Sequence, residues 1–141
     1  MFKRILMALK FAPASEFALV KGIELAKIHG AELHIFHALD YTFQGMGESD
    51  PKLIEIQEEI KDRYEARIKP ILGDFEGVRF TCQPADPGME VCKQAIQIDA
   101  DLILLGCHQL PEDMFLGRID YIGSTILEKA PCPVMVIPLC K

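Results

Sequence analysis

Residues 2–9 (FKRILMAL) end in a mostly apolar run and predict a short first strand. Over 14–29 the pattern changes. Phe17, Leu19, Val20, Ile23, Ala26 and Ile28 recur with a helical spacing, Pro13 and Ser15 suit a helix start, and Gly30 suits its stop. Residues 32–38 (ELHIFHA) predict a second strand, and the polar, glycine-containing segment 40–49 a loop. Asp50 is then a candidate N-cap, with Pro51 in the first helical position. Leu53, Ile56, Ile60, Tyr64 and Ile68 give that helix one apolar stripe. The charged run from Glu55 to Arg67 covers the rest as a solvated face. Residues 78–82 (VRFTC) predict a third strand. A helix starts at Asp86-Pro87 and runs through Ile98, with Met89, Val91, Cys92, Ala95 and Ile96 on its apolar side. Residues 101–106 predict a fourth strand, a helix from Ile119 or Gly123 ends at Lys129, and 133–138 (PVMVIP) predict the last strand.

Strands and helices alternate, and the strands are nearly continuous in aliphatic residues. That predicts an α/β fold with a single doubly wound, mainly parallel five-stranded sheet and helices on both faces. No linker, repeat or low-complexity segment interrupts the chain, so residues 1–141 are expected to form one domain. In such folds ligands sit beyond the carboxyl ends of the strands, where the strand order reverses. The first and fourth strands are the usual pair there, so the loops of interest are 10–15 and 106–125.

Bulk composition narrows the function classes. Half of the 141 residues are hydrophobic, 26% are charged, and the net charge is -6 with no Lys/Arg-rich run. General binding to a nucleic-acid backbone is not expected of such a chain. No apolar run approaches the roughly 20 residues of a membrane span, and the start is too broken in its apolar character for a signal peptide. A cytoplasmic location is the expectation.

Cys82, Cys92, Cys107, Cys132 and Cys140 form no CxxC pair, so neither a disulfide framework nor a structural zinc is expected. They read as small hydrophobes, with Cys107 set apart by its place in the 106–125 loop. His34 and His37 are three apart on a strand, face opposite sides and cannot form a paired metal site. His29 ends a helix, where a cation is favoured. His108 lies in the suspect loop and would need a nucleophile or a carboxylate beside it to act as a base. No Ser-His-Asp set and no metal cluster stands out, and no catalytic residue is assigned.

The order of ILMALKFAPASEFALVKGIELA, AELHIFHA, DPGMEVCKQAIQIDADLILLGCHQ and GSTILEKAPCPVMVIPL resembles the universal stress protein family over almost the whole chain. ADLILLG and APCPVMVIP are close to family phrases. The resemblance implies the flavodoxin-like, adenine nucleotide alpha hydrolase-like arrangement with strand order 3-2-1-4-5. It also implies homodimers that pair the last strands, here Val134, Met135, Val136 and Ile137. An exposed aliphatic edge strand suits such pairing, although burial under helices would explain the same residues.

The family contains members that bind ATP and members that do not. The binders carry Gly-x-x-Gly, nine residues, then Gly-Ser/Thr, because bare amides need glycine for close approach and a helix start favours an anion. Here Gly106 matches the first glycine and Gln109 replaces the second. Thirteen residues separate Gln109 from Gly123, which with Ser124 and Thr125 matches the closing motif. Lys10 stands where binders have an aspartate after the first strand, a change that removes a carboxylate Mg²⁺ would want. Gly106-Cys107-His108-Gln109 is similar to the Gly-His-His-Gln loop of the non-binding branch. By resemblance an adenine would contact backbone near Ala38.

Each candidate has a plain alternative. Ser124 could cap a helix, with Gly123 relieving the turn before it. Gly117 and Arg118 could be a solvated turn rather than a hinge with a phosphate partner. Lys10 could be a solvated strand-end lysine. Three functional readings follow. The first is a non-enzymatic, dimeric stress-response module with a degraded nucleotide motif, acting on an unidentified protein partner. The second is an ATP-binding switch that uses 106–125. The third is a weak nucleotide hydrolase. No cofactor is obligatory, and ATP is the candidate ligand.

Overall fold

The computed structural model describes residues 1–39, 43, 45, 47–108 and 121–139. Gln109, Gly117, Arg118 and Cys140 lie outside the described residues. The elements follow in strict alternation: β1 (Arg4–Ala8), α1 (Pro13–His29), β2 (Glu32–Leu39), α2 (Pro51–Arg63), a π-helical turn (Tyr64–Ile68), α3 (Lys69–Leu72), β3 (Val78–Pro84), α4 (Pro87–Gln97), β4 (Leu102–His108), α5 (Tyr121–Lys129) and β5 (Val134–Leu139). The five strands form one sheet in the order β3-β2-β1-β4-β5, and every neighbouring pair is parallel. This is the predicted 3-2-1-4-5 order.

Period-two alternation divides the central strands between two cores. Ile5 and Met7 of β1 and Leu102 and Leu104 of β4 enter the core beneath α1, the π turn and α3. Leu6, Ile103 and Leu105 enter the opposite core, with Val91, Cys92 and Ala95 of α4 and Ile126 of α5. Both faces of β1 and β4 are thus buried, which is why those strands read as unbroken aliphatic runs. β3 and β5 are the sheet's edges.

Several predicted boundaries held. Asp50 caps α2 by accepting the Lys52 amide at 2.9 Å, and Asp86 caps α4 through the Met89 amide at 3.5 Å. Other expectations need correction. Met89 and Ile96 are half or more exposed and do not belong to the buried side of α4. The helix begun at Asp50 does not stay regular to Ile68: the Lys69 amide bonds the Tyr64 carbonyl five residues back. Pro70 explains the disturbance, since its ring supplies no amide hydrogen and crowds the preceding turn. Ser124 lies inside α5, three residues past Tyr121, and so is not its N-cap. Ser15 likewise lies within α1, whose N-cap is Ala12 with no side-chain bond.

Candidate functional site

The reversal of strand order falls between β1 and β4, which pair as Ile5↔Leu102, Leu6↔Ile103 and Met7↔Leu104. Beyond β1, the chain turns sharply into α1. The Leu9 amide donates to the Phe36 carbonyl at 2.8 Å and extends the ladder by one rung. The Ala12 amide then bonds the Lys10 carbonyl at 2.9 Å and closes a three-residue turn.

Side chains from three places hold this turn. Nδ1 of His37, on β2, donates to the Leu9 carbonyl at 2.8 Å, and its ring meets Phe11 edge-on at 4.9 Å. The Lys10 amide donates to Oγ of Ser15 at 3.0 Å, which gives a buried hydroxyl a partner. Nη1 of Arg67, on the π turn, donates to the Phe11 carbonyl at 3.1 Å, and Nη2 pairs with the Glu16 carboxylate. The Lys10 side chain itself is exposed. Burial pushes the His37 pKa below its usual value and the Arg63 charge adds to this, while the bond to Leu9 opposes both.

Gly106 belongs to the same corner. A β-carbon there would run into the Ala14 carbonyl group, with the carbonyl carbon 2.8 Å and the Ser15 amide nitrogen 3.1 Å away. The amino end of α1 therefore rests on β4 at a point that admits only hydrogen. This packing accounts for the glycine with no phosphate present. Lys10 and Gly106 are brought together around the first turn of α1, through Ser15 and Ala14.

The closing motif sits in a different setting. Gly123 is buried within α5, Ser124 is exposed, and Thr125 is half-buried. A β-carbon on Gly88, in the first turn of α4, would meet Cβ of Thr125 at 2.9 Å and Cγ2 at 3.0 Å. Thr125 is thus a packing residue of the α4–α5 contact. Ala38 is half-buried near the end of β2, opposite Gln83 of β3, and packs toward the α4 side. His108 closes β4, with its backbone paired to Leu139.

Among the described residues, no group of three His, Cys, Asp or Glu side chains could hold a metal ion. His34 lies 3.2 Å from Glu32, and His29 meets the Phe2 ring edge-on at 5.0 Å. Cys82, Cys92, Cys107 and Cys132 are free thiols, and burial raises the pKa of Cys82, Cys92 and Cys132. No helix among the described residues is long and apolar enough to cross a membrane.

At the other end of the sheet, Val134, Met135, Val136 and Ile137 form the edge beyond β4. Met135 and Ile137 line an open groove of about 360 Å³ with Lys21, Glu24, Leu25 and Ile28 of α1. Ile28 is 77% exposed, so apolar surface continues from the strand onto the helix.

Sequence reasoning missed Ser15, His37, Glu16 and Arg67 as the residues that fix the site's first loop. Arg67 was hidden in a run of charges, although Pro70 three residues later marked that helix as irregular.

The universal stress protein family model matches residues 1–138. A universal stress protein A homolog of Haemophilus influenzae is 31% identical over 146 residues, covering 99% of this chain and 98% of the relative. Two solved folds are similar at low identity. The universal stress protein of Archaeoglobus fulgidus in complex with dAMP has a TM-score of 0.70 at 18% identity, covering 96% of this chain and 98% of that one. A universal stress protein in complex with cAMP has a TM-score of 0.63 at 14% identity, covering 96% of both chains. Matched along nearly its whole length, with the expected sheet order, this chain belongs to the universal stress protein family.

Proposed function

We propose that this chain is a non-enzymatic regulatory protein, a single domain that takes an adenine nucleotide at the carboxyl edge of its sheet. The turn after β1 carries the reading: three side chains pin it at the strand-order reversal, and it presents the exposed Lys10. A fixed turn of this kind can meet a ligand without first being ordered. The relatives in complex with dAMP and cAMP support the ligand class, and each of those ligands has a single phosphate. Lys10 suits such a ligand as a point charge, whereas an ATP–Mg²⁺ complex would prefer a carboxylate near its metal. The reading is therefore of binding that needs no metal, with AMP-type ligands favoured over Mg-ATP.

The remaining parts of the proposal rest on separate features. The edge position of β5 in the sheet and the apolar groove beside it support a homodimer that pairs 134–137 with a second copy. Four free thiols among the described residues support a reducing, cytoplasmic setting.

A second reading, a partner-binding module with no nucleotide, is favoured by Gly106, because α1 packing alone explains that glycine. Calorimetric titration of nucleotide-stripped protein separates the two. The expected result is saturable AMP binding that EDTA leaves unchanged and Lys10→Ala weakens by about tenfold. No heat from AMP or ATP, with or without Mg²⁺, at about millimolar ligand would sink the nucleotide reading in favour of the second.

A further inference from the structure

We propose that Arg67 is a positioning residue, a latch that fixes the β1–α1 turn and through it the placement of Lys10; its effect on nucleotide binding rests on the reading above.

The latch begins with an irregularity in the helix. Tyr64 stacks on Phe80 of β3 with ring centroids 4.2 Å apart, and Ile68 is fully buried. These two anchors bracket the π turn and fix Arg67 between them. Its guanidinium reaches both the β1–α1 turn, at the Phe11 carbonyl through Nη1, and α1 itself, at the Glu16 carboxylate through Nη2. Phe11 and Glu16 lie on either side of the first residues of α1, so one planar fork joins the turn to the helix it starts. Oε2 of Glu16 is shielded from solvent and finds no aligned hydrogen-bond donor, so the guanidinium compensates its charge by proximity.

The Arg67 side chain is 43% exposed and that of Glu16 21% exposed, so the pair is a weak source of global stability. What the fork supplies is geometry. Release of Arg67 would leave the Phe11 peptide held only by its neighbours, next to the peptide that carries Lys10. A change in the π turn, for example by a partner docking on α2, would then reach the ligand loop through one side chain.

The test is hydrogen–deuterium exchange of segment 10–15 in the full chain, run beside AMP titration. The variants are Arg67→Met, Arg67→Lys and Glu16→Gln. Lys69→Met is the control; Lys69 pairs with Glu65 at 3.2 Å on the same helical stretch and takes no part in the fork. The expected result is exchange about three- to tenfold faster in 10–15 for Arg67→Met, with a smaller rise for Arg67→Lys, which keeps the charge but has no fork. AMP affinity should fall in the same order, and Lys69→Met should match wild type. Unchanged exchange in Arg67→Met overturns the latch. So does faster exchange spread evenly through β1 and β4, which marks a general structural role. A loosened loop with undiminished AMP affinity overturns the positioning role and leaves the nucleotide reading standing. If wild type takes up no AMP, the nucleotide reading falls, while the exchange comparison still decides the latch.

Discussion

The turn after β1 and the α4–α5 contact are built by different means. On the β1 side, peptides of a short turn are bonded one by one to His37, Ser15 and Arg67, side chains that lie up to 56 residues away. On the α5 side, Thr125 packs closely against Gly88, and small residues let two helices approach. Polar bonds set a conformation and can be released one at a time. A packed helix shoulder sets a distance and resists change as a unit. Regulation is therefore easier to build into the turn than into the helix contact.

The largest expected effects come from glycines, one on each side of that contrast. Gly106→Ala should destabilise by about 3 kcal/mol, since the new methyl group meets backbone that cannot turn aside. Gly88→Ala meets the Thr125 side chain instead and should cost about 1–2 kcal/mol. Urea midpoints of the two variants check the order. A reversed order would mean that α1 moves more freely over β4 than the packing implies.

A serine comparison gives the next largest effect. Ser15→Ala removes the hydroxyl that accepts from the Lys10 amide and should cost about 1 kcal/mol. Ser124→Ala, at an exposed position inside α5, should stay within about 0.5 kcal/mol of wild type. Urea denaturation of both variants reads this directly. A loss at Ser124 comparable to that at Ser15 would restore the capping role that the sequence suggested for it.

The same contrast explains what could be read from the chain alone. Continuous aliphatic runs such as ILMA and LILL are direct records of a strand buried on two faces, so the parallel sheet was legible, whereas its strand order came from the family resemblance. Asp50 and Asp86 were legible because a capping bond spans only a few residues. Gly106 stood out, but its packing role was not legible: a glycine at a strand end fits both a phosphate nest and a helix packed close, and the place of Ala14 supplies the second reason. His37 had no local signature, and Pro70 marked only the irregular helix around Arg67, not what Arg67 holds. Their partners are carbonyls 28 and 56 residues away, and a backbone carbonyl leaves no mark on the sequence.

The smallest expected effect probes the polar turn by pH. His37 is half-buried between the Leu9 carbonyl, the Phe11 ring and the charge of Arg63. Its pKa lies below the 6.5 of an unperturbed histidine, first because burial penalises the imidazolium and then because Arg63 repels it. The unfolded chain thus holds more protons at this position in the window from 6.5 down to the lowered value. The stability contributed by neutral His37 is full above 6.5 and is lost as pH falls through that window. His37→Asn keeps an amide donor near the Nδ1 position and removes the titration. Urea midpoints at about pH 7.5 and pH 5.5 should converge for the variant more than for wild type. Exchange at low pH, corrected for intrinsic rates, should quicken in 9–12 before it does in α4 and α5. Equal pH dependence in both proteins would mean that the Leu9 bond holds the charged ring as well as the neutral one, and that the turn does not sense protons.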